Sequence, residues 1–310
     1  MGVIFGPVPS RRLGYSLGID LLPAGHKACS YNCIYCQVGA TQSQSLERSE
    51  TVPSVEIFKA IDQTLPMPSI NYVTFSGSGE PTLHKDLGKF IDRVRTRCGT
   101  PVAVITNGSL LDRPDVRRDL AKANLVIPTL NAVSKEIYEK ICRPHPALRL
   151  ENTIDGLIKF AGEFKGKLWI EIMVVKGVND GLAEILKIKT VLDRIINNID
   201  KIHINTVIRP PSEEYAKPLG NAELDRIVAM LGPKAMAVGA SPTDSRVLEE
   251  QDLNIEIYEL IKRRSVTVPD LMNSLGLPRN LAVDILEKLV QEKKIKKVVH
   301  GGVTYYREYY

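Results

Sequence analysis

Ala28-Cys29-Ser30-Tyr31-Asn32-Cys33-Ile34-Tyr35-Cys36-Gln37 places three cysteines at Cys-x3-Cys-x2-Cys spacing in a chain that has five. Thiolates are the usual ligands of iron–sulfur clusters, and a complete set is four. A run that offers three grips three irons of a [4Fe–4S] cube and leaves the fourth iron without a protein ligand. An open position is where a metal does chemistry, as in a catalytic zinc site. The competing reading is three buried thiols, because free cysteine packs as a small hydrophobe. Ser30, Asn32 and Gln37 interrupt the run, which has no apolar periodicity. Cluster ligation by Cys29, Cys33 and Cys36 is therefore expected.

Outward from this loop, strand and helix patterns alternate. Residues 5–13 are turn-rich and lead into a strand over 14–22. Further strands are expected at 71–75, 102–106, 125–130, 168–175 and 202–207, with amphipathic helical stretches between them. One helix, after residue 181, is expected to turn Leu182, Ile185, Leu186, Leu192, Ile195 and Ile196 inward. Parallel strands need crossovers of this length, so an α/β fold follows. Six units are too few for an eight-fold barrel. The expectation is an open, partial (β/α)6 barrel over residues 1–248. Near Glu249 the rhythm changes to three short helices and a hairpin around His300-Gly301-Gly302. That order over 249–310 resembles a winged helix-turn-helix.

The composition, 44% hydrophobic and 25% charged, is that of a globular protein with a sizeable core. A net charge of +5 without a concentrated basic patch permits nucleic acid without arguing for it. No apolar run is long enough to span a bilayer. The opening residues lack the apolar core of a signal peptide. Five cysteines, three of them bunched, do not make a secreted disulfide framework. A reducing cytoplasm and no membrane partner are expected.

Cys29-x3-Cys33-x2-Cys36, with Tyr35 before the last cysteine, resembles the signature of the radical S-adenosylmethionine (SAM) superfamily. The resemblance implies the partial barrel, a [4Fe–4S] cluster, and SAM chelated through its amino and carboxylate groups by the unique iron. An electron through the cluster then cleaves SAM to methionine and a 5′-deoxyadenosyl radical that abstracts hydrogen from a substrate. Ser76-Gly77-Ser78-Gly79-Glu80-Pro81 is an ordinary strand-to-helix loop on its own. Beside the cysteines, Ser78, Gly79, Glu80 and Pro81 resemble the superfamily's Gly-Gly-Glu-Pro element, whose carbonyls and acidic residue meet the SAM amino group. Tyr35 is expected at the adenine, with core packing as its alternative. Asn107, Asn131 and Asn205 stand at strand ends, where parallel β/α folds build their sites. They are candidates for SAM, against a role as helix-capping turn residues. Glu171 lies within a strand, where an inward carboxylate must be bonded to something.

Arg11, Arg12, Arg143, His145, His203 and Arg209 are candidates for holding an anionic or polar substrate, since arginine suits carboxylate and phosphate. A solvated arginine pair and structural histidines are the alternatives. Cys142 and Cys98 read as packing, with Cys142 as a fourth cluster ligand the minority reading. Residues 5–13, the cysteine loop, Ser78–Pro81, Val175-Lys176-Gly177-Val178-Asn179-Asp180 and Arg209-Pro210-Pro211 together resemble the tRNA wyosine (imidazoG37) synthase-related subgroup. Those synthases carry a second cysteine set before the radical motif, and no cysteine precedes Cys29 here. A reduced ferredoxin or flavodoxin is the expected electron donor, and the substrate is an RNA, a protein side chain or a small metabolite. The other class of reading is a redox-sensing regulator that uses the winged helix on DNA. Leu281–Gln291 offers one lysine, Lys288, against Asp284 and Glu287, which speaks against phosphate docking.

Overall fold

The computed structural model describes residues 2–22, 26–239 and 253–309. Strands β1 (Ile4–Ser10) and β2 (Gly14–Ile19) form a hairpin, and two short strands, β3 (Ala28–Cys29) and β4 (Ser43–Gln44), flank the cysteine loop. Then follow α1 (Ser54–Thr64), β5 (Tyr72–Phe75), α2 (Leu87–Arg97), β6 (Val102–Thr106), α3 (Pro114–Leu120) and β7 (Leu125–Pro128). Helices α4 (Lys135–Cys142) and α5 (Leu150–Glu163) lead to β8 (Lys167–Val174), α6 (Leu182–Asp193), β9 (Lys201–Thr206), α7 (Asn221–Leu231) and β10 (Ala235–Ala237). The main sheet is eight-stranded in the order β1-β2-β5-β6-β7-β8-β9-β10, all parallel except β1. The six expected strands are its centre, so the α/β partial-barrel expectation holds.

Both edge strands escaped the pattern. Pro7 and Pro9 made residues 5–13 read as turns, yet β1 is an edge strand, where a missing N–H need not leave a partner unpaired. Its register shifts between Phe5 and Val8 to accommodate the proline. β10 has three residues and is too short to show a period.

Alternate residues of the central strands face opposite ways. Val104, Val126, Ile170, Ile172, Ile202 and Ile204 join the helices in the main core. Ala103, Leu125, Ile127 and Trp169 point inside, where Leu13 from the β1–β2 turn plugs them. Glu171, His203 and Asn205 share that inner face by the same alternation. Helix α6 departs from expectation: Leu182 and Leu186 are 63% and 48% exposed, and Ile185, Ile188 and Leu192 are the buried stripe. Two apolar stripes compete on this helix, and the spacing 185, 188, 192 follows one face more closely.

The C-terminal unit contains α8 (Leu253–Arg263), α9 (Val268–Leu275), α10 (Arg279–Gln291), β11 (Ile295–His300) and β12 (Val303–Glu308), the helix and hairpin order expected. The boundary expected at 248/249 lies outside the described residues. Gly276 ends α9 at φ 65°, and Gly301 and Gly302, at φ 57° and 75°, make the tight turn that only such residues adopt freely. The unit's own core also takes in Val8 of β1. From there it reaches the segment after β9, where Tyr305 donates to the Ile208 carbonyl at 2.8 Å and His300 meets that of Val207 at 2.9 Å. It thus bridges the lateral opening of the barrel. Among the described residues no helix is long and apolar enough to cross a membrane.

Candidate active site

The cysteine loop owes its shape to the polar residues that set it apart in the sequence. Asn32 donates its amide to the Cys142 carbonyl at 3.0 Å and offers its side-chain oxygen to Thr41, while Ile34 is fully buried against Ile141 and Cys142. Ser30 accepts from Asn107 Nδ2 at 2.8 Å and pairs with Ser109 at 2.6 Å. The loop after β5 is pressed against this one. A Cβ on Gly79 would stand 1.8 Å from the Ala28 carbonyl oxygen, and the Glu80 amide donates to that same oxygen at 3.2 Å. Only glycine lets the two backbones meet so closely.

These contacts open one wall of a cavity of about 320 Å³ lined by Cys29, Cys33, Cys36, Tyr35, Gly79, Glu80 and Asn107. Lys27 lines it too, its Nζ donating to the Gly39 carbonyl at 2.7 Å. Burial works to lower the Lys27 pKa, but the neighbouring cysteines, Cys36 first, outweigh it and hold it above its ordinary value. Burial pushes the Cys29 thiol up to about 12. Cys33 is raised by its hydrogen bond with Cys142 and then by burial. Glu80 is buried, and burial raises its pKa against four hydrogen bonds, from Thr82 N, Thr82 Oγ1, Thr106 Oγ1 and Asn107 N at 2.6–3.1 Å. Among the described residues no cation pairs with it.

The opposite wall is cationic. Arg11, Arg12, Arg209, Arg263 and Arg264 all line the cavity. Arg12 pairs with Glu171, whose other oxygen accepts from Asn205 Nδ2 at 2.9 Å. Arg11 donates to Asn205 Oδ1 and Arg209 to Gln37 Oε1, each at 3.2 Å. Burial, then Arg209 and Arg12, pull the Arg11 pKa down to about 10. Arg263 forms a buried ion pair with Asp20 at 3.1 Å, joining residues 243 apart. Asp20 also accepts from Ser78 Oγ at 2.6 Å.

Of the residues singled out from sequence, the three cysteines, Tyr35, Gly79, Glu80, Asn107, Arg11, Arg12 and Arg209 share the cavity. Ser78 turns to Asp20, and Pro81 opens a buried 3-10 turn behind the loop. Asn131 stands behind Tyr35, donating to its hydroxyl at 2.7 Å, and accepts from the Met173 amide at 2.8 Å. Glu171 and Asn205 back the arginines. His203 lies edge-on to Trp169, and burial, then Arg12, pull its pKa down to about 4. Arg143 and His145 lie off the cavity: Arg143 bonds Glu213 at 2.5 Å and Tyr215 at 3.0 Å, and His145 accepts from the Ala147 amide. Cys142 is buried beside Cys33, and Cys98 ends α2. Asp20, Lys27, Arg263 and Arg264 were not anticipated. Lys27 carried a signal, a cation two residues before the first thiol; the others are joined only by the tertiary fold.

A sheet of parallel strands with three thiols at its mouth defines a class, and the family comparison agrees: the model of the radical SAM superfamily matches residues 26–188. The chain belongs to the radical SAM superfamily, whose members are enzymes that bind a [4Fe–4S] cluster and SAM. More particularly, 99% of it is similar, at 35% identity, to a UPF0026 protein of Methanocaldococcus jannaschii, covering 96% of that protein. A UPF0026 protein of Helicobacter pylori matches at 31% identity over 98% of this chain and 97% of its own. A Brachyspira hyodysenteriae protein named GTPase Obg is 35% identical over 98% of this chain, which spans only 45% of that protein. Among solved structures, that of TYW1 with a lysine–pyruvate adduct superposes with a TM-score of 0.51 at 20% identity, over 73% of this chain and 75% of that one, a likeness of fold.

The residues present fit the two groups. Cys29 and Cys33, buried thiols with raised pKa values, become thiolates only beside strong positive charge, which iron supplies. Among the described residues no three His, Cys, Asp or Glu side chains converge on a single ion. Glu80 Oε2 accepts one bond, from Asn107 N, and has capacity left for an ammonium.

Proposed function

We propose that this enzyme holds a [4Fe–4S] cluster on Cys29, Cys33 and Cys36 and receives SAM and a hydrogen-donating substrate in the cavity beside them. When bound, the cluster and SAM together supply a 5′-deoxyadenosyl radical by one-electron reductive cleavage. The observation that carries the reading is that three thiols of one short loop share a cavity with Gly79, Glu80 and Asn107. Glu80, a buried carboxylate that no cation answers among the described residues, takes the SAM amino group, because buried charge is stable only when answered. Asn107 Nδ2, 3.5 Å from Cys29 Sγ, donates to the thiolate and steadies it. Asn131 orients Tyr35 through its hydroxyl, which sets the ring as a platform for the adenine. Leu13 and the strands' inward apolar residues close the floor and keep water from the radical. The electron comes from a reduced ferredoxin or flavodoxin in the cytoplasm.

The test is anaerobic reconstitution with iron and sulfide, addition of SAM and dithionite, and assay of 5′-deoxyadenosine. Product that depends on reductant and on the cluster is expected. An intact cluster whose spectrum SAM leaves unmoved, with no product, ends the proposal.

A further inference from the structure

We propose that Arg11, Arg209 and Arg264 form a binding site for the phosphate monoester end of a small substrate, on the cavity wall opposite the cysteines. The inference rests on the reading of this cavity as the reaction chamber and adds a substrate class to it.

Arg264 carries the argument. It comes from the C-terminal unit, is only 8% exposed, and lines the cavity. Its Nη2 is 3.3 Å from Asp270 Oδ1, but neither Nε nor Nη2 makes a hydrogen bond. Asp270 thus answers part of the charge of this buried guanidinium but leaves its Nε and Nη2 without hydrogen bonds, an arrangement that costs free energy. Arg209 and Arg11 press on it electrostatically, and burial with Arg209 drops the Arg264 pKa to about 9. A fold gains nothing by gathering like charges out of water, whereas an anion between them adds an attraction to each that offsets their repulsion and burial.

The charge count selects the anion. Arg11, Arg12, Arg209 and Arg264 face the carboxylates of Glu171 and Asp270, leaving two positive charges. Arg263 is already answered by Asp20 and Glu259, and Lys27 stands with the cysteines. A phosphate monoester carries about −1.5 to −2 near neutral pH and accepts guanidinium forks bidentately. The phosphodiesters of a nucleic acid backbone carry one charge each. A cavity of about 320 Å³, roofed by the C-terminal unit, also suits a small molecule. At the start of the outer hairpin, Lys294 and Lys297 are paired with Glu292 and Glu287, which takes two charges out of any cationic track there.

The test titrates inorganic phosphate into the reconstituted full-length enzyme by calorimetry at fixed ionic strength, with acetate as the singly charged comparator. Phosphate is expected to bind at one site, more tightly than acetate, with the same affinity in saturating SAM. Arg264→Gln and Arg209→Gln each weaken it at least tenfold, and Arg118→Gln on the exposed face of α3 leaves it unchanged. Should Arg264→Gln fail to fold in a thermal melt, Arg209→Gln and Arg264→Lys, which keeps the charge but loses the fork, carry the same expectation. No phosphate binding by the wild type, equal binding of acetate, or undiminished binding by the arginine variants overturns the proposal. Displacement of phosphate by SAM also overturns it, since the arginines would then hold the SAM carboxylate. Formation of 5′-deoxyadenosine by the wild type is read separately. Cleavage without phosphate binding removes only this inference, whereas binding without cleavage removes the proposed radical chemistry and leaves an anion site.

Discussion

On the cavity wall that carries Cys29, Glu80 accepts four hydrogen bonds and Asn107 ties Ser30 to the thiolate position. Across the space, Arg264 donates none from Nε or Nη2, and Arg11 and Arg209 make single long bonds to Asn205 and Gln37. The first wall fixes its groups by hydrogen bonds within the protein and keeps Glu80 Oε2 and the thiols open for residents that must be placed to a fraction of an ångström. The second is left electrostatically incomplete, as suits a visitor whose arrival relieves it. One fold thus separates permanent from transient binding by how fully each wall satisfies its own polar groups.

The difference can be broken most forcefully at the first wall. Cys36→Ala should abolish 5′-deoxyadenosine formation to the level of the no-enzyme control, with loss of the cluster's visible absorbance. Next in size, Asp20→Ala strips the buried Arg263 of its partner across the two units. Removing one member of such a pair costs about 3–5 kcal/mol, and urea unfolding should show a loss near the lower figure because Glu259 still reaches Arg263. His203, behind the cationic wall, gives a pH signature. Its folded pKa of about 4 lies below the ordinary 6.5, so between these values the unfolded chain binds more protons than the folded one. Its stability contribution is therefore complete above pH 6.5 and is lost as pH falls towards 4, about 3 kcal/mol in all. His203→Phe should flatten the stability profile over that interval, and an unchanged slope would assign the titration to other groups. Smallest is Asn107→Ala, which removes a donor to Cys29 and to Ser30; outer hydrogen bonds of this kind are worth about 10–100-fold in metal affinity. Iron retention against a chelator should fall within that range while the secondary structure by circular dichroism stays intact.

How much of this was legible depended on distance along the chain. The cysteines and Gly79–Glu80 are short local patterns, and the six central strands announce themselves as apolar runs between amphipathic helices. The edge strand β1 hid behind its prolines. In α6, two apolar stripes share Ile185 and Leu192, so the pattern also drew in Leu182 and Leu186, which the packed helix leaves exposed. Arg263 and Arg264 read as ordinary basic residues closing a helix, where they favour the dipole. Arg263 is buried against Asp20, far away in sequence, and Arg264 against Asp270 of the next helix, pairings that only the tertiary fold makes. Asn131 was legible as a strand-end polar residue, but its placement behind Tyr35 follows from packing alone.

The placement of Arg264 on the last structural unit bears on how the protein matures. During synthesis the cysteine loop is made well before α8, so Arg263 and Arg264 reach the cavity's far wall after the thiols are in place. A cluster inserted before that point would be enclosed on that side only once the C-terminal unit packs on Val8 of β1. A shortened chain lacking that unit would accept its metal yet be unable to confine what reacts there.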